Sequence, residues 1–386
     1  MKTNYKVLII GHDMHNALGL MESLGLKGVK PDVIVLMPHG GQSILQRSKN
    51  HNRFWICRDE DEIIKCMINN FPKSDEKTLV LTAADIISVY LDNHYEELKD
   101  LFYLPLPTFH GELERMMSKQ YMHELAIKTG ITVPRTWLTD DNTLPADVEY
   151  PCITKGINST QGSKEDLYIC KDQSDLKAFL GNGQHCDTIQ IQTYIDKEYE
   201  FQLMGCSLDN GNEVIITGRT TIDRPNGIDN TFFLSFDKIE PEKKELIEKA
   251  KQYIKATTYN GPFSMEFLHG KDGKDYFMEL NFRNDGNAYC QTAAGINTPY
   301  IIYLYYFGGD YKAEIAKSVI KKTTWMPGFA YFLFLRQGEF GLGEFLRNMW
   351  KADSYSYYYS FDKRVFWYKL YNYTIYRIIK KLHLAK

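Results

Sequence analysis

The segment Gly261–Arg283 has the sequence GPFSMEFLHGKDGKDYFMELNFR, and it decides how the rest of the chain is interpreted. Two runs of alternating polarity flank a glycine-containing turn at His269–Lys274, a pattern that predicts a β-hairpin. Because residues i and i+2 of a strand lie on one face, Glu279 and Asn281 can reach the same ion. Pairing of the two strands can bring Glu266 beside them. Two carboxylates and an amide oxygen suit Mg²⁺ bridging nucleotide phosphates, with Mn²⁺ as an alternative ion.

Arg283 follows on the same face as Glu279 and Asn281. A guanidinium at this position can neutralise a phosphoryl group during its transfer. The alternative is a solvated strand of alternating polarity that binds nothing. The polar face is narrow, because the rest of the second strand is apolar, and this favours the ion site. Its apolar residues are Phe277, Met278, Leu280 and Phe282.

A second segment, PCITKGINSTQGSKEDLYI, ends a predicted strand at Lys155 and continues into a loop of small polar residues. Backbone N–H groups and hydroxyls in such a loop suit phosphate oxygens, and the candidates are Ser159, Gly162 and Ser163. Lys155 adds a point charge for the same phosphates. The alternative is an ordinary hairpin, but the position of the segment before the carboxylate hairpin favours phosphate binding. We expect 156–164 to be a mobile flap that orders over a nucleotide.

A third segment, TIQIQTYIDKEYEFQL, contains a hydrophobic strand followed by acidic residues. Backbone groups near the end of that strand could recognise an adenine edge, and the candidates are Gln192, Thr193, Tyr194 and Ile195. Glu198 follows shortly and could accept hydrogen bonds from ribose hydroxyls. Glu200 shares its face and is the second candidate.

Length and composition narrow the class of protein. The chain has 386 residues, which is too long for one hydrophobic core and predicts two or three domains. The net charge of −3 argues against a nucleic-acid-binding protein, which usually needs a basic excess. The cysteines are odd in number and form no C-x-x-C pair, so we expect reduced thiols in the cytoplasm. The apolar run Val7–Ile10 predicts a first strand and not a signal peptide.

From Tyr5 to Leu101, predicted strands and helices alternate, which indicates a small doubly wound α/β domain. A G-x-G-x-x-G motif is missing from its first βα junction, so no dinucleotide site is inferred there. His12, Asp13 and Asp85 follow predicted strand ends, where open α/β sheets bind ligands. Helix capping is the alternative role for these residues. After Pro151, short strands dominate and predict antiparallel α+β lobes.

The three segments, in this order, resemble the ATP-grasp superfamily, which includes D-alanine–D-alanine ligase, biotin carboxylase and the carbamoyl-phosphate synthetase large chain. The family's first ATP lysine corresponds to Lys119 in SKQYMHELAIKTGITVP, and its second to Lys155. Its Glu-x-Asn-Pro-Arg signature appears as ELNFR, residues 279–283, with Phe in place of Pro. The family's glycine two residues before the ribose glutamate is missing, which leaves the choice between Glu198 and Glu200 open.

The resemblance implies three regions: an N-terminal α/β domain (1–108), an ATP-grasp domain (109–310) with lobes at 109–190 and 191–310, and an aromatic, basic, helical C-terminal extension (311–386). It also implies a function. The expected activity is an ATP- and Mg²⁺-dependent carboxylate–amine ligase, similar to D-aspartate ligase relatives, that forms an amide through an acyl phosphate.

Catalysis is expected from Arg283 and Lys155 through charge neutralisation and positioning. The expected substrates are a small carboxylate and an amine, one of them an amino acid in the simplest case, with a cell-envelope or capsule precursor as the acceptor. A kinase-like phosphotransferase and a non-catalytic nucleotide-binding module are the alternatives. A homodimer is one expected assembly.

The end of the chain is basic. Between residues 341 and 386, nine Lys and Arg residues stand against three Asp and Glu residues. Apolar residues recur there at helical spacing, at Tyr371, Ile375, Ile378, Ile379 and Leu382, and predict an amphipathic helix. Such a helix can lie on anionic lipid, which would place a cytoplasmic protein at the inner face of a membrane. Packing of the stripe onto the lobes or a partner subunit is the alternative.

Overall fold

The computed structural model describes residues 6–139, 143–156, 167–182, 188–223, 233–328, 335, 338 and 341–372. In this part of the chain the strands form a five-stranded, a four-stranded and a seven-stranded sheet. None of the helices in these ranges has the length and apolar character needed to cross a bilayer.

The first sheet belongs to the N-terminal domain, and its paired strands are all parallel. Its strands are β1 (Val7–His12), β2 (Asp32–Leu36), β3 (Phe54–Cys57), β4 (Thr78–Thr82) and β5 (Phe102–Tyr103). The helices are α1 (His15–Gly25), α2 (Glu60–Asn70), α3 (Asp85–Asn93) and α4 (Tyr95–Leu98). The strand order is β3-β2-β1-β4-β5, so the winding direction reverses between β1 and β4. The carboxyl ends of these two strands form a topological switch point, where open α/β sheets bind ligands.

The second unit is a small lobe with an antiparallel sheet in the order β6-β9-β7-β8. Its elements are α5 (Leu113–Met116), α6 (Lys119–Lys128), β6 (Thr136–Thr139), β7 (Cys152–Gly156), β8 (Tyr168–Cys170), α7 (Gln173–Gly181) and β9 (Ile189–Thr193). Ser118 caps α6, because its side chain accepts a hydrogen bond from the backbone N–H of Tyr121. The core of this lobe is separate and includes Cys152, Leu176 and Ile191.

The third unit is built on the seven-stranded sheet, in the order β14-β13-β10-β11-β12-β15-β16. Its elements are β10 (Lys197–Leu208), β11 (Glu213–Asp223), β12 (Phe233–Asp237), α8 (Lys244–Thr257), β13 (Gly261–Gly270), β14 (Asp275–Asn281), α9 (Tyr289–Ala293) and α10 (Thr298–Tyr306). The C-terminal elements are α11 (Tyr311–Lys317), β15 (Thr323–Met326), α12 (Leu342–Lys351), β16 (Ser354–Tyr355) and α13 (Arg364–Leu370). Short 3-10 turns occur at Leu45–Arg47 and Pro241–Lys243.

The expectation of a purely helical C-terminal extension is incomplete. Strand β15 pairs antiparallel with β12, and β16 pairs parallel with β15, so the extension widens the large sheet. The sequence of β15, TTWM, is rich in residues that favour strands. Its Trp325 is only 2% exposed and packs in the core with residues of α1 and α10. The part of the extension that the structure describes therefore belongs to the folded body.

Gly205 allows β10 and β11 to approach closely at an irregularity in their pairing. A Cβ atom at this position would lie 1.9 Å from the carbonyl oxygen of Ile215. That separation is far below any allowed contact, so a larger residue must displace backbone.

We expect Gly205→Ala to lower the free energy of unfolding by about 1–3 kcal/mol, the usual cost of overpacking. The matched control is Gly343→Ala on α12, where an added Cβ would meet nothing within 4 Å. The control should be neutral or stabilising by about 0.5–1 kcal/mol, because Ala favours helix over Gly. Chemical denaturation of the two variants measures the difference. Equal stabilities would contradict the close approach at Gly205.

Candidate functional site

Two glutamates face each other across the hairpin of β13 and β14. Glu266 is paired with Glu279, and Ser264 with Asn281. The pairing shifts by one residue next to this pair, so that Phe267 is opposite Phe277 and Met278 is left over. This β-bulge turns Phe277 into the core although it precedes Glu279 by two residues. As a result, Glu279 and Asn281 share the polar face with Glu266, as the sequence predicts.

Hydrogen bonds fix the carboxylate of Glu266. Its Oε1 accepts from Nε2 of Gln202 on β10 at 2.8 Å and from Nδ2 of Asn281 at 3.2 Å. Burial and the charge of Glu279 raise the pKa of Glu266 well above its usual range. Burial also raises the pKa of Glu279, and the charges of Lys119, Arg283 and Lys155 oppose that rise. The two carboxylates therefore lie in a polar pocket that disfavours two negative charges at once.

The residues fit a magnesium ion that is shared with a nucleotide. Like charges directly opposite each other destabilise a sheet, and a divalent cation would relieve that repulsion. In the described part of the chain, neither glutamate forms an ion pair with Lys or Arg, and no group of three or more His, Cys, Asp or Glu suits a metal. Mg²⁺ commonly takes one or two carboxylates and completes its shell with phosphate oxygens and water. Glu266, Glu279 and the amide oxygen of Asn281 would hold it.

Two lysines of the small lobe face these carboxylates. Lys155, at the end of β7, donates from Nζ to Oε1 of Gln192 at 3.1 Å. Lys119, at the start of α6, donates from Nζ to the carbonyl oxygen of Gly156 at 2.8 Å. Burial and the nearby charge of Lys119 lower the pKa of Lys155 to about 8, and the charges of Glu279 and Glu200 oppose this. Two neighbouring ammonium groups in a buried position suit a polyanion such as a triphosphate.

The predicted adenine contacts lie at the end of β9. Gln192 is buried. Its side chain accepts a hydrogen bond from Lys155 and donates one to Thr136, so it helps to position the lysine. The backbone N–H groups of Thr193 and Tyr194 donate to the carbonyl oxygens of Arg135 and Pro151. Recognition of an adenine edge would therefore depend on the carbonyl groups of this stretch and on Ile195. That assignment stays a prediction.

The geometry separates the two ribose candidates. An irregularity between Lys197 and Tyr199 in the pairing of β10 with β13 leaves Glu198 exposed. Glu200 lies on the face of Gln202, forms an ion pair with Lys197, and its charge acts on Lys155 and Glu266. Between the two, Glu200 is thus the residue that faces the site.

The phosphate-loop candidates Ser159, Gly162 and Ser163, and most of the expected flap 156–164, lie outside the described residues.

Arg283 connects the hairpin to the N-terminal domain. Its Nε donates to Oδ2 of Asp85 at 2.9 Å, and its Nη2 donates to Oδ1 of Asn281 at 3.2 Å. Asp85 is the first residue of α3 and follows β4, at the switch point. Its other oxygen, Oδ1, is buried without a hydrogen-bond partner. The next residue, Asn284, donates from its backbone N–H to the carbonyl oxygen of Thr82 and from its side-chain Nδ2 to the carbonyl oxygen of Asn16.

A second group of residues near the switch point combines side chains of α1 with side chains of the C-terminal extension. His15, at the start of α1, lies against the rings of Trp325 and Tyr357. Lys369 of α13 places its Nζ 3.2 Å from the ring centroid of Tyr357. Burial, then the charge of Lys369, lower the pKa of His15 to about 4, while Asp285 opposes this. A neutral imidazole and a partly buried ammonium thus lie next to the loop that carries Arg283.

Sequence reasoning missed several of these residues. Gln202 follows Glu200 at i+2, so the strand period could have placed it at the site. Asp85 was noted only as a strand-end residue, because no local pattern links it to Arg283, 198 residues away. His15 and Lys369 carry no recognisable motif, and only the tertiary structure brings them together. Asp13, another of the three strand-end candidates, accepts hydrogen bonds from the hydroxyl of Ser43 and from the backbone N–H groups of residues 44 and 45.

The fold overlaps with solved structures of low sequence identity. An L-amino acid ligase from Bacillus licheniformis has a TM-score of 0.61 and 15% identity, covering 84% of this chain and 80% of that one. The biotin carboxylase domain of Hydrogenobacter thermophilus 2-oxoglutarate carboxylase, in complex with MgADP and bicarbonate, has a TM-score of 0.60 and 16% identity, covering 78% and 69%. N5-carboxyaminoimidazole ribonucleotide synthetase from Thermotoga maritima has a TM-score of 0.54 and 18% identity, covering 82% and 77%.

No protein-family model matches the sequence, and no match was found among curated proteins. The structural likeness establishes the fold. The chain has the ATP-grasp fold, which confirms the predicted fold class of a parallel α/β domain followed by α+β lobes.

The bond between Asp85 and Arg283 joins two units of the protein, so its removal should lower stability. We expect Asp85→Asn to reduce the free energy of unfolding by about 1.5–3 kcal/mol, the value of a hydrogen bond to a charged group. The control is Asp100→Asn, which breaks an exposed ion pair with Lys73 and should change the free energy of unfolding much less than Asp85→Asn does. Thermal and denaturant unfolding measure both. If Asp85→Asn cost no more than its control, Asp85 would not anchor Arg283.

Proposed function

We propose that the protein is an ATP- and Mg²⁺-dependent carboxylate–amine ligase that forms an amide through an acyl phosphate. One observation carries the proposal. Glu266, Glu279 and Asn281 lie together on one face of the large sheet, opposite Lys119 and Lys155 of the small lobe. Such a cleft offers carboxylates for a metal on one side and ammonium groups for phosphates on the other.

The similar proteins support this choice of reaction. One is described as an L-amino acid ligase, and another is a biotin carboxylase domain bound to MgADP. We extend to this chain the use of ATP with a divalent cation. The resemblance to D-aspartate ligase relatives leads us to propose a cell-envelope or capsule precursor as the acceptor. The predicted cytoplasmic location and homodimer stay predictions.

In the proposed mechanism, the protein contributes charge and position. Lys119 and Lys155 would hold the phosphates, and Glu266, Glu279 and Asn281 would hold Mg²⁺, which neutralises charge that develops on the transferring group. Arg283 lies at the end of β14, where its guanidinium can contact the transferred phosphoryl group and the substrate carboxylate. Asp85 and Asn281 fix the orientation of this guanidinium. Positioning of this kind supplies much of the rate in phosphoryl transfer.

The acid and the amine would enter at the switch point of the N-terminal domain. The loop after β14 contacts the carboxyl ends of β1 and β4 there, through Asn284 and the close approach of Gly286 to His15. A substrate carboxylate placed beside Arg283 would also lie near Asp285 and His15. Because burial lowers the pKa of His15 to about 4, its imidazole would be neutral at physiological pH and could accept a hydrogen bond from the amine, although it is too weak a base to take a proton from an ammonium group.

The test is amine-dependent phosphate release from ATP, screened over amino acids with and without an envelope precursor. We expect Glu279→Gln and Lys155→Met to reduce the rate by about 10²–10³-fold, as loss of one transition-state charge partner does. Glu248→Gln on α8 is the matched control, since Glu248 is exposed and belongs to none of the candidate contacts, and its rate should stay near wild type. Thermal unfolding verifies that the variants fold.

Three outcomes of this assay would count against the proposal. A near-wild-type rate for Glu279→Gln or Lys155→Met would remove that residue from the site. A stable phosphorylated product without an amide would indicate the kinase-like alternative. ATP binding without turnover under any substrate combination would indicate the non-catalytic nucleotide-binding module.

The lowered pKa of Lys155 predicts how nucleotide affinity depends on pH. In the free protein this group loses its proton as pH rises through about 8. Bound phosphates favour the charged form, so binding above pH 8 requires proton uptake, and affinity should fall by up to about tenfold per pH unit. Calorimetry with an ATP analogue in two buffers of different ionisation enthalpy measures the uptake. Lys155→Met should show weaker binding and no such uptake; the same uptake in that variant would assign it to another group.

A further inference from the structure

Helix α12 presents an apolar face to solvent. Four residues of this helix are exposed: Leu342 (60%), Leu346 (54%), Met349 (41%) and Trp350 (91%). They stand at i, i+4, i+7 and i+8, which is the spacing of one helix face. Another apolar residue of the helix, Phe345, is buried and packs in a small cluster with Met326. The helix is therefore attached to the large sheet by one edge, while most of its apolar stripe faces outward.

Basic residues border this stripe. At 100° per residue, Arg347 and Lys351 follow Trp350 around the helix, and both are exposed. The following helix, α13, continues the pattern with exposed Trp367 and Tyr371 and with exposed Lys363 and Arg364 near its start. Tryptophan and tyrosine side chains favour the boundary between water and hydrocarbon, where the ring is apolar and its polar atom stays hydrated.

The charge of the region is opposite to that of the rest of the protein. Residues 341–386 carry nine Lys and Arg against three Asp and Glu, although the whole chain has a net charge of −3. Two of the three acids are hydrogen-bonded within the fold. Asp353, which is exposed, accepts hydrogen bonds from the backbone N–H and the hydroxyl of Thr324, and the buried Asp362 accepts from the backbone N–H of Lys49. Among the described residues of this region, four basic side chains are exposed, Arg347, Lys351, Lys363 and Arg364, against two exposed acids, Glu344 and Asp353. The described surface is therefore apolar with a basic excess.

We propose that α12, together with the exposed face of α13, binds the surface of an anionic lipid bilayer. The apolar stripe would lie at the level of the acyl chain boundary, and Arg347 and Lys351 would contact lipid phosphates. A second copy of the chain is the alternative occupant of this face, and the oligomeric state distinguishes it from lipid. The sequence placed membrane contact on the stripe from Tyr371 to Leu382, most of which lies outside the described residues. The proposal here rests on a different element and is independent of the proposed reaction.

The experiment is co-sedimentation of the full-length protein with phosphatidylcholine vesicles, with and without phosphatidylglycerol, at low and moderate salt. We expect binding to the anionic vesicles, weakened by salt, and little binding to the neutral ones. Leu346→Glu combined with Met349→Glu should lower vesicle affinity by about tenfold or more, since it places two charges in the stripe that would enter the bilayer. The control, Val319→Glu, changes an apolar residue that is 67% exposed on another part of the surface and should bind like wild type.

A second variant and a second readout keep the test independent of folding. Arg347→Glu combined with Lys351→Glu should weaken binding at low salt while leaving the apolar stripe intact. In the wild type, tryptophan emission should shift to shorter wavelength when anionic vesicles are added, and Trp350→Phe should reduce that shift. Absent binding by the wild type, or equal binding by wild type and the Leu346/Met349 variant, would overturn the proposal. A dimer that this variant dissociates, without vesicle binding, would instead make the face an interface between copies.

Discussion

Two carboxyl groups face each other across neighbouring strands, at Glu266 and Glu279, and much of the site is arranged around that pair. Like charges in this position destabilise a sheet unless other groups compensate them. Gln202 and Asn281 donate hydrogen bonds to Glu266, while the charges of Lys119, Lys155 and Arg283 act on Glu279. Burial, and at Glu266 also the charge of Glu279, nevertheless keep the pKa of both carboxyl groups raised. A bound divalent cation would favour the charged form of both groups, and this is the physical reason to propose a cation at the site.

The second organising contact joins the hairpin to the N-terminal domain. Arg283 donates a hydrogen bond to Asp85, just after β4, so the end of the hairpin is anchored to the switch point. The C-terminal segment also contacts the N-terminal domain through two buried acids, Asp362 of the segment and Glu22 of the domain. The hydroxyl of Ser48 lies between them, within hydrogen-bond distance of both carboxylates. Burial raises the pKa of Glu22 to about 7, and the nearby Asp362 adds to this rise. Three parts of the chain thus converge around the recess that His15 borders.

The hairpin, and the polar face that Glu266 shares with Glu279 and Asn281, could be predicted from the sequence, because strand period and turn composition are local signals. The bulge at Met278 could not, since strict alternation would have put Phe277 on the face of Glu279, and packing of that ring into the core decides otherwise. The contact of Arg283 with Asp85 depends on how two domains dock, which no local pattern encodes. The strand character of Thr323–Met326 was missed for a similar reason: four residues are too few for a periodic signal, and pairing with β12 stabilises them. The adenine and ribose contacts were placed by analogy, and geometry could only separate Glu200 from Glu198.

The C-terminal segment has two faces with different chemistry. Its inner face carries Asp362, Tyr357 and Lys369, which pack against the N-terminal domain near the switch point. Its outer face carries Trp350 and Trp367, both exposed, together with exposed lysines and arginines. A segment that only stabilised the fold would have no need of a large apolar surface in water, where such patches favour association. The inner face contributes to folding, whereas the outer face is the surface that we propose to bind lipid. If both proposals hold, an acceptor carried in a membrane would approach the same segment that packs near the loop carrying Arg283.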